Sequence, residues 1–134
     1  MVIDVVGWFT TRSGSEGLFT AVTPDRVADS RVPGAPYPRL GAGVEVTMNF
    51  TGLAPGPADA VLFNLTATNT VDGGFIIAHP SNTLLPVASS VNWSGPGQNR
   101  AALTISSLAA ANLVGLYAKT PVDAIIDVSG WFEK

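Results

Sequence analysis

A chain of 134 residues, 46% hydrophobic and 13% charged, has the size of one domain, can bury roughly two-thirds of its unfolded surface and is too apolar for a disordered segment. A formal net charge of −3 with a pI near 4.8 leaves no basic stripe and so removes the counterion-release term behind nucleic-acid affinity; no DNA or RNA partner is expected. Zero Cys excludes disulfides, thiolate nucleophiles and Cys-based zinc sites, so stability rests on packing and the redox compartment stays open.

The first nine residues lack a basic n-region and a long apolar h-region and do not read as a signal peptide. No apolar run approaches a membrane span, and no membrane insertion is expected. Period-2 alternation then predicts strands at 44–51, 60–68, 74–79, 88–93, 101–106, 113–119 and 122–132. In the second of these, Val61, Phe63, Leu65 and Ala67 face one way, and Leu62, Asn64, Thr66 and Thr68 the other. Between the runs lie Pro- and Gly-rich turns such as Pro55-Gly56-Pro57, Asp72-Gly73-Gly74 and Gly95-Pro96-Gly97, spaced as in sandwiches and barrels. The Ala-rich stretch 106–112 is about two turns long and reads as a capped turn or loop.

The two ends of the chain match. Ile3-Asp4-Val5-Val6-Gly7-Trp8-Phe9 recurs as Ile126-Asp127-Val128-Ser129-Gly130-Trp131-Phe132, with six identities in seven positions. Such self-similarity at a fixed offset signals a repeating unit. Residues 1–9 therefore read as an extra copy of the closing strand, and residues 10–134 as a single module. Ile3, Val5, Trp8 and Phe9 are the candidate assembly residues, because an unpaired apolar strand seeks a sheet, in its own body or in a neighbour's.

Five segments in order carry a resemblance: Thr23-Pro24-Asp25-Arg26-Val27-Ala28-Asp29-Ser30-Arg31, Phe63-Asn64-Leu65-Thr66-Ala67-Thr68-Asn69, Gly74-Phe75 leading to Pro80, Ala88-Ser89-Ser90-Val91-Asn92-Trp93, and Asp127-Val128-Ser129-Gly130-Trp131-Phe132. Together these are similar to the TPxRLxDTR, LNVTATN, ASNLNY and DVxGYF signatures of tandem β-modules in secreted and cell-surface actinobacterial proteins, often beside hydrolase domains. The resemblance implies a secreted β-module without catalysis of its own. Some members carry Cys around the positions of Asp25 and Ser81, so any disulfide there is absent from this chain, and Ser90 stands where the family often has Asn. Because relatives are exported, a start at Met1 fits either a piece of a longer protein or a protein assembled inside a cell, such as a phage virion component.

Four of the 17 charged residues, Asp25, Arg26, Asp29 and Arg31, cluster ahead of a Pro-rich stretch. Paired carboxylates with a guanidinium suit acid/base work or sugar binding. Without an evident general base the preferred reading is structural: an ion-pair cluster that ties an irregular loop to the sandwich, with the arginines forking onto Asp29, Asp4 or Asp127. His79, the sole histidine, lacks the spaced partners of a metal site and any nucleophile elbow, and with Pro80 after it reads as a strand end at the surface. Trp8 and Trp131 read as core, whereas Trp93, Asn92 and Tyr37 are the candidates for a glycan-stacking surface. Asn64 and Thr66 read as hydrogen-bonding partners across neighbouring strands rather than as a glycosylation site, and Asp72-Gly73 as a turn rather than a calcium loop.

The expectation is an all-β antiparallel sandwich of about eight to ten strands, jelly-roll-like or immunoglobulin-like, with no catalytic residues, no metal and no cofactor. Its expected role is a non-catalytic structural module for adhesion or assembly at a cell surface or outside the cell, through self-association or neighbouring modules. The alternatives are a carbohydrate-binding module for wall or envelope glycans, and a decoration or tail component at a virion surface.

Overall fold

The computed structural model describes residues 18–133 together with Ile3 and Val5. Its strands are β1 (Phe19–Asp29), β2 (Val44–Asn49), β3 (Ala58–Thr68), β4 (Gly74–Pro80), β5 (Val91–Trp93), β6 (Arg100–Ser107), β7 (Leu113–Ala118) and β8 (Asp123–Glu133). They form two antiparallel sheets ordered β1-β8-β3-β6 and β2-β7-β4-β5. The fold is thus the expected all-β sandwich, with eight strands among the described residues.

The pairings β1·β8, β2·β7, β3·β6 and β4·β5 join strands placed symmetrically about the β4–β5 connection. The chain is therefore one long double-stranded ribbon folded in half, and the seams β3·β8 and β4·β7 close it into two layers. This is a jelly roll, which decides between the two topologies the sequence left open and sets aside the immunoglobulin-like one.

Alternation places the core. Val61, Phe63, Leu65 and Ala67 of β3 are fully buried and meet Ile126, Val128 and Trp131 of β8 and Ile76, Val114 and Leu116 of the second sheet. Trp131 stands edge-on to Phe50 at 5.9 Å, and Phe50 lies 6.1 Å from Phe63. Each such side chain contributes about 1.5–3 kcal/mol by leaving water. Between Val128 and Gly130 the register of β8 against β3 shifts by one residue, which turns Ser129 away and returns Trp131 to the core.

β1 is a departure from the sequence reading, which placed an irregular loop at 25–31 and no strand between it and the extra strand copy at 1–9. Its pairing with β8 slips twice, between Ala21 and Asp25 and between Arg26 and Ala28. Each bulge resets the period-2 pattern and so erases the signal, and Pro24, which has no N–H to give, sits within the first slip on an edge strand. Of the stretch 106–112, expected as a capped turn or loop, Ser107 extends β6 and the rest forms a turn, closed by Asn112 N–H donating to the Ala109 carbonyl at 3.0 Å.

Phe19 pairs with Phe132, and the Glu133 N–H donates to the Leu18 carbonyl at 3.0 Å. The start of β1 and the end of β8 therefore lie side by side at one pole of the sandwich. The opposite pole gathers the connections 30–43, 69–73, 94–99 and 119–122.

Candidate functional site

The far pole holds the charged network. Arg31 forks onto Asp29, with Nε to Oδ1 at 2.8 Å and Nη2 to Oδ2 at 2.6 Å, while its backbone N–H also donates to Oδ1. Arg26 forks across the β1·β8 ladder onto Asp127 at 2.8 and 3.3 Å and lies 4.0 Å from Asp29. Asp123, buried at the start of β8, accepts from Arg39 Nη1 at 2.5 Å, Ser30 Oγ at 2.7 Å and Asn69 Nδ2 at 2.9 Å. Asp25 is exposed opposite Val128 and stands outside this network. Arg39, Asp123, Ser30 and Asn69 escaped the sequence reading because their partners lie 54 to 93 positions apart. Ser30 and Asn69 lie within the TPxRLxDTR-like and LNVTATN-like segments, yet nothing local pairs them with Asp123.

The Arg31 fork holds the Asp29 carboxyl at about 2. Burial alone would raise Asp123, yet the hydrogen bonds from Asn69 and Ser30 and the Arg39 charge outweigh it and leave that carboxyl below its ordinary value. A general acid at neutral pH needs the opposite shift. With their oxygens committed to donors, these carboxylates clamp the connections 30–43 and 69–73 to the end of the first sheet.

Two of the three stacking candidates are corrected. Tyr37 is buried, with its hydroxyl donating to the Ala124 carbonyl at 3.3 Å. Trp93 is buried too, and its Nε1–H donates to the Asp72 carbonyl at 2.6 Å. A glycan platform needs an open ring face, so neither ring serves as one. Strand parity is the reason: Asn92 points to solvent, accepting from Ser89 Oγ at 2.9 Å, and Trp93 beside it must point inward.

Besides Phe132 of β8, two half-exposed aromatics lie on the outer face of the second sheet. Phe75 and Tyr117 stand 6.4 Å apart at 38°, with Lys119 Nζ 5.8 Å from the Phe75 ring. Asn92 pairs with Phe75, and Glu45 with Tyr117, across the strands. The sequence signal for this pair was available, since Phe75, Ile77 and His79 share one parity of β4, but it shows only when β4 and β7 are known to be neighbours.

His79 is buried rather than at the surface. Its Nε2 lies 3.0 Å from Glu45 Oε2, its Nδ1 lies 3.1 Å from Thr83 Oγ1, and Gly115 between them leaves room, because a Cβ there would come within 3.0 Å of Nε2. The order Thr–His–Glu resembles a nucleophile relay. However, the Thr83 hydroxyl donates its one proton to the Pro80 carbonyl at 2.7 Å, so His79 does not receive it and the row works as a tie between β2, β4 and the 81–90 connection.

Asn64 Nδ2 donates to Thr66 Oγ1 at 3.2 Å along its own strand, not across to a neighbour. Asp72 accepts from the Gly73 N–H at 2.7 Å, as in a turn. Among the described residues no group of three His, Cys, Asp or Glu is placed to hold a metal ion. Trp8 and Phe9 lie outside the described residues, as does Asp4, while Ile3 and Val5 are exposed. Comparison of the chain with protein-family models and with curated proteins finds no match in either.

Proposed function

We propose that this jelly roll is a non-catalytic structural module that adheres or assembles at a cell or virion surface. The observation that carries the reading is the placement of the ends of the sandwich: Phe19 and Phe132 are paired at one pole, so the chain enters β1 and leaves β8 there. The other pole is left to face outward, with its connections clamped by Asp29 and Asp123 and β1 tied to β8 by the Arg26–Asp127 pair. Entry and exit at one end with a stiffened, carboxylate-saturated opposite end suits presentation and contact rather than turnover. The likeness to modules of secreted actinobacterial proteins supports the same placement at a surface.

A second reading, a carbohydrate-binding module for wall or envelope glycans, is favoured by the Phe75–Tyr117 pair with Asn92 beside it, since half-exposed rings flanked by amides suit the C–H faces of sugars. Jelly rolls serve both as lectin and as viral capsid domains, an analogy of fold alone.

Purified protein mixed with intact actinobacterial cells and isolated walls, with mass measured in solution in parallel, tests both readings. Retention on the surface, or concentration-dependent assembly, is expected. Loss of retention in Tyr117→Ala with the fold intact would favour the glycan reading. Protein that stays monomeric and unbound, or that turns over a glycan, peptide or ester, would overturn the proposal.

A further inference from the structure

The four strands of the second sheet carry Glu45 as their sole acidic residue, and its carboxylate is drawn aside. The side chain leans over Gly115, where a Cβ would collide with it, and its Oε2 lies 3.0 Å from His79 Nε2. Gly115 and Lys119 lie on opposite sides of Tyr117 along β7, so Glu45 points away from Lys119.

Beside the rings, the same face offers donors. Phe75 is paired with Asn92 on one side, and on the other its carbonyl accepts from the Lys119 N–H at 3.0 Å. An amide, a ring and an ammonium therefore stand in one row across β5, β4 and the end of β7. Asn92 and Lys119 are both exposed. The Asn92 side-chain oxygen already accepts from Ser89 Oγ, which leaves its NH2 group free to donate. Arg26, Arg31 and Arg39 are each bound to a carboxylate, whereas Lys119 forms no ion pair among the described residues and has the Phe75 ring at 5.8 Å. Beyond Tyr117, Gly43 presents no side chain, so the ring and its hydroxyl stay uncovered on that side.

We propose that this face binds a carboxylated glycan, a chain bearing uronic acid units. A sugar ring stacks on the Phe75–Tyr117 pair, its acid group meets Lys119, and a hydroxyl or ring oxygen accepts from the Asn92 amide. The inference rests on the glycan reading above and narrows it to an acidic ligand. A neutral glycan brings hydroxyls that both give and take protons. This face has donors at both ends of its row and its one carboxylate turned to His79, so a ligand richer in acceptors fits it better. A phosphate, with nearly two charges, calls for a guanidinium fork or further donors; a lone ammonium on a flexible stem matches a single carboxylate. The rings supply affinity that is indifferent to charge, and Lys119 supplies the preference.

A short oligogalacturonate, and the same oligomer with its carboxyl groups reduced to alcohols, are to be titrated into the full chain by calorimetry at low and at high salt. The acid form should bind about five-fold tighter at low salt, with the margin shrinking at high salt, as for an exposed ion pair. In Lys119→Gln, with the parent's melting temperature, the two oligomers should bind alike at the affinity of the reduced one. Asn92→Asp, also at an exposed position, replaces a donor with a carboxylate and should weaken the acid form more than the reduced one. Equal affinities in the parent would overturn the inference and leave the glycan reading standing. A preference for the acid form that survives in Lys119→Gln would place the acid elsewhere and overturn it too. Binding of neither oligomer, while Tyr117→Ala still abolishes retention on walls, would sink the acidic ligand alone; binding of neither with walls unbound as well would remove both.

Discussion

Ile126 and Val128 are 0% and 2% exposed, whereas Ile3 and Val5, which occupy the same places in the repeated heptad, are 73% and 63% exposed. Nearly the same side chains in the same order thus have opposite environments within one molecule. The difference lies in what flanks them. β8 has β1 on one side and β3 on the other and is anchored at its ends by carboxylates, Asp123 to Arg39 and Glu133 to the Thr20 hydroxyl. The N-terminal copy has Thr10 where β8 has Glu133. Burial is therefore a property of the slot: the apolar heptad makes a strand possible, and two ladders with their anchors decide which copy takes the core.

The largest expected effect breaks the symmetry of the copies directly. Ile126→Ala should cost about 2–5 kcal/mol through lost transfer energy and a cavity, while Ile3→Ala should stay within about 0.5 kcal/mol, as for an exposed position. Urea melts of the two variants check this. Equal costs would mean that the copies exchange places. A smaller effect sharpens the comparison at the repeated glycine. A Cβ on Gly130 would strike the Phe19 ring and approach the Thr20 carbonyl to 2.9 Å, so Gly130→Ala should cost about 1–3 kcal/mol by overpacking. Gly7→Ala carries no such clash if the N-terminal copy lies away from β1, and its melt should match that of the parent. A loss of equal size in Gly7→Ala would place that copy against β1.

Much of this was readable beforehand, for identifiable reasons. β3 follows strict alternation through Val61, Phe63, Leu65 and Ala67, so its inward residues could be assigned from period alone, whereas the bulge at Ser129 breaks the period of β8. β1 could not, because two bulges and Pro24 break its period, and its polar face reads like a loop. The jelly-roll order was hidden because the ribbon pairs β1 with β8 across nearly the whole chain, and no local pattern encodes that distance. The Arg26 and Arg31 forks were foreseeable from charge clustering. The Asp123 hub was not, since Ser30 and Arg39 from the 30–43 connection and Asn69 from the 69–73 connection converge on it. The rings were misjudged for a simpler reason: Trp93 and Tyr37 were weighed by residue type, whereas the parity of Val91, Asn92 and Trp93 already turns the Trp inward.

The smallest effect concerns what secures the neighbour of β8. Asp29 ends β1 opposite Ile125 of β8 and is locked by Arg31. Its carboxyl titrates at 3.8 ordinarily and at about 2 in the fold. The native state therefore binds this proton more weakly than the unfolded chain does, so the pair stabilises above about pH 4 and its contribution is lost as the pH falls through about 2. Solvent around the half-exposed Arg31 screens the pair, so its contribution is modest. Asp123, also lowered, acts with the same sign. Urea melts at pH 7, 4 and 2 should show stability falling mainly over the last interval, and Asp29→Asn should flatten that fall while lowering stability at pH 7. An Asp29→Asn chain with the parent's full acid dependence would show that the clamp on β1 is not what acid releases.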